Sequence, residues 1–178
     1  MLTKRFFIVF VLVLISACST SDNAIYHSGF NFSLVNSYSF YERNSDFDDH
    51  QNLSDSQRNR IELAIEKGMA NEKLQYKELD KADIIVTYHL VNKASDYKNY
   101  NKAVLFCQQC LQANNWRKGS HKLKVTRNSL IIDLIDPQRS RSVWRSIQSL
   151  QFKPKDNSQE VNKKIQEAVN EMLIQLPK

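Results

Sequence analysis

The sequence predicts an α+β domain: a mostly antiparallel four-stranded sheet with two amphipathic helices on one face, plus a long insert. Three observations carry this. Hydrophobic periodicity runs in the order strand, helix, strand, aperiodic stretch, strand, strand, helix. Two of the segments are helices with one apolar stripe, and each stripe needs a surface to cover. The two late strands flank Asp136-Pro137-Gln138-Arg139, whose Asp and Pro suit the first two positions of a tight turn and so a hairpin.

The chain opens with Lys4 and Arg5, an apolar run from Phe6 to Ile15, and then Ser16-Ala17-Cys18. Charge, apolar run and small residues in that order match a secretory signal over residues 1–17. Ten apolar residues make a helix of about 15 Å, half of a roughly 30 Å hydrocarbon core, so a permanent span is not expected. Ile15-Ser16-Ala17-Cys18 resembles a bacterial lipobox, which implies acylation of Cys18, palmitate included, and a new N-terminus there. Ser19 is not the aspartate that marks inner-membrane retention in such proteins. The resemblance therefore implies an outer-membrane lipoprotein facing the periplasm, with the membrane as its first partner. Residues 18–29 are small and polar and read as lipid anchor and flexible tether; residues 30–178 read as one domain.

Loss of Lys4 and Arg5 lowers the formal charge from +6 to +4. That is too mild a surplus to indicate nucleic acid, and the compartment disfavours it as well. An apolar content of 42% is enough for a packed core.

Within the domain, Asn31 to Tyr41 reads as a strand with Phe32, Leu34, Tyr38 and Phe40 on one face. Residues 42–53 form a loop holding Asp46, Asp48, Asp49 and His50, without the spacing or glycine of a calcium loop. Ser54 and Gln57 have capping-box spacing, and Ile61, Ala64, Ile65, Gly68 and Met69 follow on one helical face that ends near Leu74. Gly68 suggests close approach of the helix to the sheet. Asp83 to Val91 alternates as a strand, with Ile84, Val86, Tyr88 and Leu90 on one side. Leu123 to Ile135 reads as one long strand, or one with a bulge near Arg127-Asn128, and Ser142 to Phe152 returns beside it. Asn157 and Glu160 cap the last helix. Val161, Ile165, Ala168, Val169, Met172, Leu173 and Leu176 form its stripe before Pro177 stops it.

Several of these blocks together resemble a known family. They are Ala82-Asp83-Ile84-Ile85-Val86-Thr87-Tyr88-His89, Ser129 to Asp136, Val143-Trp144-Arg145-Ser146 and the closing Leu176-Pro177, with Tyr38-Ser39-Phe40 and Arg60-Ile61-x-x-Ala64-Ile65. They resemble the bacterial lipoprotein family called domain of unknown function 4136 over about residues 30–178. The resemblance implies an envelope lipoprotein with a small α+β domain, and it brings no catalytic residues. The insert at 93–121 departs from the family pattern.

That insert holds Cys107-Gln108-Gln109-Cys110. In an oxidising envelope the expected state of the pair is a local disulfide. A thiol-disulfide exchange role would need a depressed cysteine pKa, for which Arg117, Lys118 and Lys122 are near in sequence. Zinc would need two further ligands, and His121 supplies only one. Phe106, Leu111 and Trp116 either complete a core or form a contact patch, and Arg117 to Lys124 is a basic run suited to lipid phosphate or to a solvated edge. His89 is read as structural and Trp144 as core; Asp133 and Asp136 flank a turn, and Asp136 is explained by turn chemistry. No cofactor, metal site or catalytic set is indicated. The expected function is a lipid-anchored, non-catalytic binding or assembly module with a possible envelope protein partner touching Phe106, Leu111, Trp116, Arg117 and Lys118. The alternatives are a thiol-disulfide protein using Cys107 and Cys110, and a binder of anionic lipid or lipopolysaccharide.

Overall fold

The structure is a computed structural model that describes residues 23–43, 53–92, 97 and 125–178. Six strands form one mixed sheet: β1 (Ala24–Tyr26), β2 (Ser37–Phe40), β3 (Gln75–Tyr76), β4 (Ile84–Val91), β5 (Ser129–Asp136) and β6 (Arg141–Ser149). Helix α1 spans Asp55–Asn71 and α2 spans Ser158–Leu173, and a 3-10 turn covers Phe32–Leu34. The strand order is β1-β6-β5-β4-β2-β3. β1, β6, β5 and β4 pair antiparallel, whereas β2 runs parallel to both β4 and β3.

The expected four-stranded, mostly antiparallel sheet is thus corrected to six strands with two parallel pairs. The physical reason is connection geometry. Helix α1 lies between β2 and the strands that follow, and a helical crossover returns the chain to the end it started from, so the next strands run parallel. The two additional strands are three and two residues long. Periodicity cannot register over so few residues; their partners create them. β1 lies within the segment read as a tether, yet it pairs with β6, with Ile147 N–H donating to Asn23 O at 3.0 Å and His27 N–H to Val143 O at 2.8 Å. Asn23 N–H also donates to Gln175 Oε1 at 3.1 Å, which brings the start of the domain against its C-terminal end.

Local signals explain the remaining elements. Both capping boxes form, Ser54 with Gln57 and Asn157 with Glu160. α1 ends at Asn71, before the expected Leu74. Lys73 adopts φ 65°, and Leu74 N–H bonds back to Met69 O, a left-handed termination that ties off the last carbonyls. Asn128 at φ 60° makes the turn before β5, where the long strand was expected to continue. The irregularity lies further on: the register between β5 and β6 shifts at Leu134/Ile135, so Val143 and Trp144 both reach the core.

One face of the sheet carries the main core. Ile84, Val86, Tyr88 and Leu90 from β4, with Leu130, Ile132 and Leu134 from β5, meet Ile61, Ile65 and Met69 of α1 and Ile165, Val169 and Met172 of α2. The helices cross closely at Gly68. A Cβ there would lie 2.5 Å from Leu173 Cδ1 and 3.3 Å from Val169 Cγ1, so the close approach is to α2 rather than to the sheet.

Candidate functional site

At the β3 edge of the sheet the chain builds an aromatic and acidic cleft of about 450 Å³. β2 and β3 line it with Phe40 and Tyr76, whose ring centroids lie 6.5 Å apart; behind them the buried Tyr38 lies 5.8 Å from each, and the buried Tyr88 of β4 lies 6.3 Å from Phe40. α1 supplies Glu62 and Glu66 from positions four apart, one turn above the other. Glu62 is buried and ties the wall together: Tyr88 Oη donates to its Oε1 at 2.5 Å, and Arg43 Nε donates to the same oxygen at 3.2 Å. Arg43 also reaches Asn59 Oδ1 at 3.2 Å. Burial, then the hydrogen bond and charge of Glu62, pushes the Tyr88 hydroxyl far above the ordinary tyrosine range. Tyr38 is pushed up to about 12 by burial, with Glu66 and Tyr76 adding to it. Both phenols therefore stay protonated, and the negative charge of the cleft resides on its glutamates.

A second cavity, of about 380 Å³, opens at the C-terminal end of the helices and is walled by Phe32, Val35, Leu74, Leu176 and Pro177. The sheet face opposite the helices carries the third notable arrangement. Thr87, Asp133 and Arg145 align across β4, β5 and β6, all buried. Arg145 Nε donates to Asp133 Oδ1 at 2.8 Å, and Ser142 Oγ donates to the same oxygen at 2.8 Å. This oxygen is fully used by neighbours within the sheet, which suits a structural pair.

Residues 22–178 match the family described as Domain of unknown function (DUF4136). The chain belongs to the DUF4136 family. No curated protein matches it. Among solved structures, a DUF4136 family protein from Bacteroides thetaiotaomicron VPI-5482 is 15% identical, with 85% of this chain and 92% of that chain covered at a TM-score of 0.53. The similarity extends to the fold alone. A PDZ domain protein from Parabacteroides distasonis ATCC 8503 is 12% identical over 87% of this chain and 35% of that chain, with a TM-score of 0.47, and adds nothing to the assignment.

The residues singled out in the sequence fall differently on the DUF4136 domain. Cys18, Phe106, Cys107, Cys110, Leu111, Trp116, Arg117 and Lys118 lie outside the described residues, as do Asp46, Asp48, Asp49 and His50. The described residues include no cysteine and no disulfide, so the expected Cys107–Cys110 bond is withdrawn. From the insert, Tyr97 is described, half-buried against Val91, Ile131 and Ile147 on the face opposite the helices. His89 is buried on that same face, and Trp144 is wholly buried in the core. Asp136 Oδ1 accepts from Gln138 N–H at 2.9 Å and Arg139 N–H at 3.3 Å, as turn chemistry requires. Among the described residues no group of three or more His, Cys, Asp or Glu could hold a metal ion, and no helix is long and apolar enough to cross a membrane.

The cleft itself was missed in the sequence. One signal pointed to it: Glu62 stands between Ile61 and Ile65 on the apolar side of α1, where a carboxylate needs a donor in the core. Tyr76 gave no signal, because its strand exists only through pairing.

Proposed function

We propose that this DUF4136 chain is a lipid-anchored protein of the outer membrane that acts by binding, with Cys18 as its attachment point. The observation that carries this reading is where the domain starts. The family match begins at residue 22 and β1 at Ala24, directly after the cysteine that acylation would make the new N-terminus. Five residues lie between Cys18 and Ala24, and the six steps from one to the other extend at most about 21 Å. The anchor would therefore hold the domain close to the lipid surface and raise its effective concentration toward envelope partners. Within the insert, Phe106, Leu111, Trp116, Arg117 and Lys118 remain the proposed contacts. The test is metabolic labelling of the full chain with an alkyne-bearing palmitate in a Gram-negative host, followed by membrane fractionation. Labelled protein in the outer membrane, and unlabelled soluble protein for Cys18→Ala, is the expected result. An unlabelled, soluble wild-type chain overturns the reading.

A further inference from the structure

We infer that the cleft at the β3 edge takes a cationic side chain, lysine or arginine, carried on an extended segment of a partner protein. This inference deepens the binding reading above and does not depend on the lipid anchor.

Charge is the first argument. The chain as a whole carries +6, yet this cleft gathers Glu42, Glu62, Glu66 and Glu78 around one arginine. Arg43 is committed to Glu62, and Glu78 is held by Lys81 at 2.7 Å. Lys77 acts on Asp83. Glu66 is exposed at the mouth, and its charge acts on the Tyr38 hydroxyl. A cation entering the cleft therefore meets the Glu66 carboxylate without displacing an ion pair among the described residues.

The second argument is the aromatic wall. Tyr76 is 61% exposed, so its ring is open to a ligand at the strand edge. It tilts at 36° to Phe40 with centroids 6.5 Å apart, and both rings line the same cleft as Glu66. Aromatic rings and a carboxylate together are the chemistry that holds ammonium and guanidinium groups.

The third argument is the backbone. In the parallel ladder Gln75 N–H donates to Asn36 O and Lys77 N–H to Tyr38 O, each at 2.9 Å. By the alternation of a strand, the N–H and C=O of Tyr76 between them point away from β2, along the free edge. An extended segment can pair there and place alternate side chains over the cleft. The cleft also lies at the opposite edge from β1. Five strand intervals of about 4.8 Å separate the two, roughly 24 Å, which displays this edge away from the start of the domain.

The test is fluorescence anisotropy with the full chain in detergent and a labelled Lys-Val-Lys-Val-Lys peptide, with Glu-Val-Glu-Val-Glu as the control. The lysine peptide should bind, weaken as salt rises, and outcompete the glutamate peptide. Glu66→Gln and Tyr76→Ala, both at exposed positions, should each weaken binding about two- to fivefold, with circular dichroism confirming the fold. Failure of the lysine peptide to bind, equal binding of both peptides, or unchanged affinity in both variants overturns the inference. None of those outcomes alters the palmitate labelling of Cys18, so the two readings fail separately.

Discussion

On the helix side of β5, Leu130, Ile132 and Leu134 are closed over by α1 and α2. On the other side of the same strand, one residue along, Asp133 sits between Thr87 and Arg145. Both faces are buried, but they do different work. The helix face gains from area removed from water, at roughly 25 cal/mol per Å², and that gain tolerates exchange of one apolar group for another of like volume. The opposite face fixes position. A slip of one residue between β5 and β6 would part Asp133 from Arg145 and turn the carboxylate into the apolar core. The difference shows how one sheet divides its labour: one side supplies stability, and the other specifies register.

The strongest way to break this comparison is Asp133→Ala. It removes the carboxylate from beside a buried guanidinium, and unfolding in urea should show a loss of about 3–5 kcal/mol. Asp133→Leu combined with Arg145→Met should recover most of that loss, since an apolar pair of similar volume carries no desolvation cost. If the double variant is as unstable as the single one, the pair contributes stability and not only register.

Gly68→Ala probes the helix face. The new methyl would meet Leu173 Cδ1 at 2.5 Å, and Leu173 is itself buried, with little room to yield. The better helix propensity of alanine offsets part of the strain, leaving a net loss of about 1–2 kcal/mol in the same urea experiment. An unchanged midpoint would show that the α1–α2 crossing is looser than the face it covers.

The smallest effect is expected at the margin of the sheet. Asp83 accepts from Asn36 N–H at 3.0 Å, Ser37 N–H at 2.9 Å and Ser37 Oγ at 2.8 Å. The Asn36 bond, followed by those from Ser37, holds its carboxyl below the usual range. A depressed folded pKa contributes stability above the unfolded value, and this is lost as pH falls through the folded one. Asp83 is exposed and its charge is screened by water, so Asp83→Asn should cost no more than about 0.5 kcal/mol at neutral pH and nothing in strong acid, with thermal melts compared across that range. Asp156, lowered by Lys153 N–H and Lys164, keeps a slope of the same sign in the variant.

The elements that read correctly from sequence were those whose signals are local. Ser54 with Gln57, Asn157 with Glu160, and the apolar alternation from Ile84 to Leu90 need only their own neighbours to be recognised. What did not read were pairings. Ala24-Ile25-Tyr26 is a strand because β6 offers an edge, and Gln75-Tyr76 because β2 does; three or two residues carry no period of their own. The direction of β2 followed from a crossover that local patterning does not encode. The cleft depends on the same long-range facts. Tyr38, Phe40 and Tyr76 converge only once β2 and β3 lie side by side, and Glu62 joins them only when α1 docks over Tyr88.

The contact between Asn23 and Gln175 has a consequence for engineering. The head and tail of the domain meet at the β1 edge, so a reporter fused after Lys178 travels with the head. A circular permutant would use this directly. Joining Lys178 to Asn23 through a short linker, and opening the chain between β3 and β4, keeps the spatial order of the six strands and places the new end, after β3, at the far edge. A surface or label attached at that end would then hold the molecule by its β3 edge and leave the β1 edge, where head and tail had met, facing away.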